Sequence, residues 1–285
     1  ELQTHPQLNS RVELSKLGWA PEVVHLADRQ TPFDASIALG ACSGLKEFDP
    51  PDGDKYCLVQ SSFTVSDRPT LELTVAKTKY FIIRSVLEHI RTSPPLRAQL
   101  GKLEPERSRI PHSLCLHFIV RFADGHILCM RRDKRTAYHG QRWSFSGEEQ
   151  VADVDFRHKT PCLALFQRTV CEEVFPLRED MPLAERWSIA SRFVDSMALW
   201  SLFLEETIHN FSLLGFIQLT CEPRQYVAEH KRLVSSGTGS RDKEGRYFVV
   251  HTDHLMQLLV TGKTTAHALF SPDIKHRSEE HTSEL

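Results

Sequence analysis

Apolar and polar residues alternate over residues 71–75, which predicts a β-strand. The spacing then changes, and apolar residues recur at helical intervals over residues 80–90. Pro94 and Pro95 end that predicted helix, because proline lacks an amide donor and restricts the residue before it. Residues 1–62 carry little pattern. We therefore expect residues 1–110 to form a smaller α+β region whose role the sequence does not indicate.

The second half of the chain is patterned more regularly. Residues 114–122 and 126–131 are apolar and β-prone, and Asp124-Gly125 between them predicts a tight hairpin with positive φ at both central residues. The pattern then predicts a strand, a polar loop and a helix at residues 143–146, 147–159 and 161–174. The remaining predicted elements are a helix, two strands and a final helix at residues 183–206, 211–220, 246–251 and 253–259.

The helix that follows the polar loop carries the candidate chemistry. Thr160 and Pro161 suit its start, because a hydroxyl can cap the first turn and proline has no amide to leave unpaired there. On this helix Glu172 points away from the apolar stripe, and Glu173 lies on the flank of the stripe. Arg168 lies one turn before Glu172. Carboxylate oxygens on one helical face suit Mg²⁺, which usually shares its coordination sphere with waters and substrate phosphates. A solvated face with a modest ion pair is the alternative interpretation.

This helix, with a glycine upstream and strands on both sides, resembles the signature of the Nudix hydrolase superfamily. That signature runs glycine, five residues, glutamate, seven residues, and then Arg-Glu-apolar-any-Glu-Glu-any-Gly. In this chain its positions correspond to Gly147, Asp153, Arg168, Val170, Glu172 and Glu173. The fold that this resemblance implies is α+β: a Nudix-like α/β/α sandwich with a mixed sheet over residues 111–265, following the smaller N-terminal region.

The resemblance also implies an activity, which is cleavage of a nucleoside diphosphate linked to another group with Mg²⁺ or Mn²⁺. By the same resemblance, Glu172 and Glu173 would bind the metal together with Asp153. Arg168 would hold the glutamates in place through ion pairing. Glu173, Glu172 and Arg168 are therefore the expected catalytic residues.

Three departures from the signature leave more than one function open. Seven extra residues separate Asp153 from Arg168, and Thr169 replaces a glutamate that serves as base or ligand in many members. Phe175 stands where the last glycine would be. Four acids elsewhere could act as the base instead: Glu148, Glu149, Glu205 and Glu206. The leading hypothesis is the hydrolase, and the alternative is a non-catalytic Nudix-like module that binds a nucleotide or a partner protein. A third hypothesis is an interaction domain whose acidic helix has no chemical role.

A basic cluster lies between the hairpin and the helix, at Arg131, Arg132, Lys134, Arg135 and Arg142. Cations there could hold substrate phosphates, so Arg131, Arg132 and Arg142, with Gly147, are the predicted substrate-binding residues. A charged, solvated loop is the alternative. Residues 235–240 are rich in serine and glycine but lack the lysine of a phosphate loop, and they predict a surface loop.

Composition narrows the class of partner. The 285 residues carry a net charge of −2, which gives no bulk reason to expect nucleic acid or an acidic membrane. No apolar run reaches the ~20 residues that a membrane-spanning helix needs. The seven cysteines are scattered and fit reduced thiols better than a disulfide framework, which favours the cytoplasm. We expect a nucleotide-type small molecule as ligand, and a homodimer stays open.

Both ends of the chain are irregular. It begins at Glu1 rather than methionine, so we expect that the true start is missing. Residues 266–285 predict a polar, disordered tail, and residues 277–285 resemble the translation of a common sequencing adapter.

Overall fold

The computed structural model describes residues 3–4, 18–36, 54–64, 70–95, 110–132, 143–205, 210–239 and 245–252. Close contacts divide the chain into two compact units. The first unit comprises Glu1–Leu116, Glu149–Phe166 and Ala198–Gly215, and the second comprises His117–Glu148, Gln167–Met197 and Phe216–Leu285. The domain boundary expected near residue 110 stays a prediction.

The described residues form two sheets and several helices, which confirms the α+β class. The strands are β1 (Gln3–Thr4), β2 (Val24–Asp28), β3 (Asp54–Thr64), β4 (Thr70–Lys79), β5 (Cys115–Arg121), β6 (His126–Arg132), β7 (Trp143–Phe145), β8 (Gly147–Gln150), β9 (Val194–Glu205), β10 (Asn210–Leu219) and β11 (Gly245–His251). The α-helices are α1 (Tyr80–Thr92), α2 (Pro161–Thr169), α3 (Leu183–Ala190) and α4 (Pro223–Ser235). The larger sheet has the order β1-β9-β10-β5-β6-β11, with β7 paired to β6 and β8 to β5.

The smaller sheet belongs to the first unit and has the order β2-β4-β3. β4 pairs in parallel with β2 and antiparallel with β3, and α1 follows β4 directly. The predictions of a strand over residues 71–75 and a helix over residues 80–90 are confirmed. The sequence did not predict β2 and β3. β2 has only five residues, and an irregularity between Leu58 and Gln60 interrupts the alternation in β3.

The predicted hairpin is present as β5 and β6, but its turn differs from the expected one. Gly125 has a φ of 89°, whereas Asp124 is not among the described residues with positive φ. The Gly125 amide donates to the Phe122 carbonyl (3.0 Å), and the Phe122 amide donates to the His126 carbonyl (2.8 Å). This pattern is a type I turn followed by a left-handed glycine, so the prediction of positive φ at Asp124 was wrong.

The predicted helix over residues 183–206 is wrong in its second half. Only α3 and a short 3₁₀ turn at Ser191–Phe193 are helical, and β9 follows them. Residues 198–202 are all buried and four of these five are apolar, so β9 does not show the alternation of a half-buried strand. Periodicity alone does not separate such a run from a buried helix.

The other elements divide between confirmed and missed predictions. The strands expected at residues 143–146, 211–220 and 246–251 are present as β7, β10 and β11. Part of the predicted loop at residues 147–159 is strand β8, and α4 was not predicted. The helix expected at residues 253–259 lies outside the described residues. None of the helices in the described part of the chain combines the length and apolar character needed to cross a membrane.

Candidate functional site

The candidate acidic helix is α2 followed by a π-helical turn at Val170–Val174, so the α-helix ends earlier than predicted. The Phe175 amide donates a hydrogen bond to the Val170 carbonyl, five residues earlier (2.8 Å). The Leu177 amide donates one to the Cys171 carbonyl, six residues earlier (2.8 Å). Around Glu172 and Glu173, these wider turns replace the hydrogen bonds that an α-helix makes between residues four positions apart. Single π-turns of this kind are frequent at functional sites.

Glu172 is held by two arginines within the second unit. Its Oε1 accepts a hydrogen bond from Arg186 Nη1 (2.7 Å), and its Oε2 accepts one from Arg168 Nη1 (3.4 Å). Both arginine side chains are 7% exposed, and that of Glu172 is 19% exposed. The structure thus brings Arg168 and Glu172 together in an ion pair, and the catalytic roles of Arg168, Glu172 and Glu173 stay predictions. We call Arg168 and Arg186 the arginine pair.

The sequence did not mark Arg186 as a site residue. It lies on α3, within the segment whose pattern predicts a single helix over residues 183–206. Fourteen positions separate it from Glu172, so no helical spacing connects the two. The structure shows that Arg186 is buried and that Ala190 is the only other buried residue of α3.

Two of the positions that depart from the signature, Thr169 and Phe175, lie in the core. Thr169 is fully buried, so a carboxylate at this position would be closed to solvent. Phe175 is also fully buried and stacks on Phe193 with ring centroids 5.2 Å apart. Tyr226 packs edge-on against Phe175 and donates its hydroxyl hydrogen to the Val174 carbonyl (2.7 Å). Aromatic packing therefore fills the place of the last glycine of the signature.

Asp153 has partners in the first unit. Its carboxylate forms an ion pair with Lys77 (2.8 Å) and accepts a hydrogen bond from the Tyr56 hydroxyl. The hydrogen bonds from Lys77 and then Tyr56 lower the pKa of Asp153 from its usual value. The bond to Asp153 raises the pKa of Lys77. Asp153 therefore links the segment after β8 to the three-stranded sheet. Its predicted role as a metal ligand stays a prediction.

The donor chemistry of the paired glutamates fits a divalent cation. Glu172 accepts one hydrogen bond on each oxygen, and a carboxylate has about four lone-pair sites. Glu173 is the next residue of the same turn and is half-buried. Mg²⁺ is commonly bound through one or two carboxylates together with substrate phosphates. Among the described residues, no group of three or more His, Cys, Asp or Glu side chains is arranged to hold a metal ion.

Gly147 has a packing reason to be glycine. It begins β8, and a Cβ on it would lie 2.5 Å from Cζ of Phe118. Arg131 and Arg132 lie on β6, which pairs with β11, but their side chains are outside the described residues. Arg142 is outside them altogether. The substrate-binding roles of these four residues stay predictions.

The serine- and glycine-rich segment after α4 ends that helix. Gly237 has a φ of 73°, and the Gly239 amide donates to the Leu233 carbonyl (2.8 Å). A left-handed glycine that closes the last turn is a common helix C-cap. The segment from Ser236 to Gly237 is exposed, in line with the predicted surface loop.

The second unit thus presents two adjacent carboxylates on an irregular helical turn, one of them held from both sides by arginines. Such an arrangement can bind a cation through oxygens whose direction is set in advance. In comparisons with known proteins, no family model and no curated protein matches the chain.

Proposed function

We propose that residues 111–265 are a Nudix-like domain that hydrolyses a nucleoside diphosphate linked to another group, with Mg²⁺ or Mn²⁺. The observation that supports this proposal most is the contact between Arg168 and Glu172. The signature requires an arginine that orders the paired glutamates, and here that arginine is buried against one of them. Glu173 follows directly and keeps partial exposure.

Each residue then has a role that its chemistry allows. Glu172 and Glu173 would hold the cation, which when bound neutralises the diphosphate and polarises the attacking water. The arginine pair orients Glu172, because each of its oxygens accepts from one guanidinium group. Arg131, Arg132 and Arg142, with Gly147, would bind the phosphates of the substrate.

A non-catalytic Nudix-like module is the second candidate. The fully buried Thr169 favours it, since many members of the superfamily carry a glutamate there. Asp153 favours it too, because its carboxylate already binds Lys77 and Tyr56. In this case the domain would bind a nucleotide or a partner protein without cleaving it.

We also propose that the protein resides in the cytoplasm. The six cysteines within the described residues are buried and form no disulfide. Burial raises the pKa of the Cys57 and Cys129 thiols to about 12, so they stay protonated near neutral pH. Such thiols are compatible with a reducing compartment.

Turnover of a panel of nucleoside diphosphate derivatives with Mg²⁺ or Mn²⁺ tests the first proposal. We expect Glu173→Gln to lower turnover about 100-fold or more, since several kcal/mol of transition-state stabilisation depend on the cation. Glu185→Gln is the matched control, because Glu185 is an exposed glutamate in the same unit. Glu173 is the better site to change, as Glu172 is tied to the arginine pair.

The outcomes separate the candidates. Turnover that survives Glu173→Gln removes Glu173 from the mechanism. Nucleotide binding without turnover supports the non-catalytic module. If the wild-type chain neither binds nor cleaves any member of the panel, an interaction domain without nucleotide chemistry becomes the better interpretation.

A further inference from the structure

Arg186 occupies a position in α3 where an apolar residue would be expected. The residue is 6% exposed, and α3 otherwise buries only Ala190. Arginine is almost never buried to this extent unless it is paired. The Arg186 amide donates to the Pro182 carbonyl (3.0 Å), which places the residue in the first turn of the helix.

The partner of Arg186 explains its burial. Its Nη1 lies 2.7 Å from Glu172 Oε1, whereas Arg168 Nη1 lies 3.4 Å from Oε2. The shorter contact therefore comes from the residue outside the Nudix-like signature. Bonds between a guanidinium and a carboxylate are strong because both groups are charged.

We propose that Arg186 is a positioning residue that sets the direction of the Glu172 carboxylate toward a bound divalent cation. The proposal rests on the metal-dependent function proposed above. Arg168, on the same helical segment, restrains one oxygen of Glu172, and Arg186, from a separate helix, restrains the other. With both oxygens restrained, the remaining lone pairs keep a fixed direction before the cation arrives.

This role predicts an effect on metal affinity and not only on stability. Groups that hydrogen-bond a metal-ligating carboxylate typically change metal affinity or activity by 10- to 100-fold when they are lost. Arg186→Met removes the contact to Oε1 and retains much of the aliphatic stem. Arg186→Lys keeps the charge but loses the planar fork of the guanidinium group.

Mn²⁺ binding to the full chain, followed by electron paramagnetic resonance, measures this directly and needs no substrate. We expect Arg186→Met to weaken Mn²⁺ binding by about 10- to 100-fold, and Arg186→Lys to recover part of the loss. Arg178→Met is the matched control, since Arg178 is an exposed arginine of the same unit paired with Asp180. It should bind Mn²⁺ like the wild type.

Thermal unfolding of each variant separates positioning from folding. If Arg186→Met does not fold, Arg186→Lys decides the question. A folded Arg186 variant that binds Mn²⁺ as tightly as the wild type would overturn the positioning role while leaving the proposed function intact. A wild-type chain that binds no Mn²⁺ would overturn the metal-dependent function, and the positioning role with it.

Discussion

Glu172 and Asp153 share a predicted role as metal ligands, but the structure gives them different surroundings. Glu172 lies between two arginine side chains that are each 7% exposed. Asp153 pairs with Lys77, and their side chains are 45% and 40% exposed. The first carboxylate is fixed by a buried network, and the second belongs to a solvated ion pair.

The difference shows how environment decides what one carboxylate contributes. An exposed pair is screened by water and salt, and typically contributes about 0–1 kcal/mol. Removing one member of a buried pair leaves the other charge without compensation, which is strongly destabilising. A carboxylate already restrained by buried partners is also better prepared to bind a cation than one that must leave a lysine.

The largest expected effect comes from neutralising Glu172. Glu172→Gln keeps the shape of the side chain but leaves two buried guanidinium groups facing a neutral amide. We expect the free energy of unfolding to fall by about 3–5 kcal/mol. Urea denaturation measures this, with Glu185→Gln as the control. A loss as small as that of the control would mean that the arginine pair does not depend on Glu172.

The first unit extends the comparison to a buried group that is kept neutral. His112 is 1% exposed, its Nδ1 donates to the Ile110 carbonyl (3.1 Å), and its Nε2 accepts from the Leu58 amide (3.0 Å). Both ring nitrogens are thus satisfied in the neutral tautomer. Burial lowers the pKa of His112 to about 4.

We expect this histidine to make the stability depend on pH. Because the pKa is about 4 in the folded chain and about 6.5 when unfolded, the unfolded state binds more protons between these values. The contribution, about 3 kcal/mol, is present above pH 6.5 and is lost as the pH falls toward 4. His112→Gln should flatten this part of the urea-derived stability profile, whereas the exposed His25→Gln should not. Equal acid sensitivity in all three proteins would contradict the assignment.

The smallest expected effect is that of Asp153→Asn. Asparagine keeps an acceptor for the Tyr56 hydroxyl and loses the charge that attracts Lys77. We expect the free energy of unfolding to fall by less than about 1 kcal/mol, and the difference to shrink at 1 M salt. Chemical denaturation at low and high salt checks both points. A loss as large as that of Glu172→Gln would erase the contrast between the two carboxylates.

Local patterns predicted part of the candidate site. The spacing of Arg168 and Glu172 is one helical turn, so their contact follows from the helix itself. The contact from Arg186 does not, because it joins two helical segments fourteen positions apart. In the same way, 76 positions separate Asp153 from Lys77, and no periodicity indicates that they meet. The sequence therefore identified the acidic residues Glu172 and Asp153, but not the distant partners Arg186 and Lys77 that bind them.

The sequence by itself determined the α+β class, the β5–β6 hairpin, the β4–α1 unit and the helical neighbours Arg168 and Glu172. These depend on residues close along the chain, where turn chemistry and hydrophobic spacing act directly. Only the tertiary structure decided that β9 is a strand, that Asp153 binds Lys77, and that Arg186 binds Glu172. Burial on both faces hides the period of a strand, and a distant segment supplies each ion-pair partner.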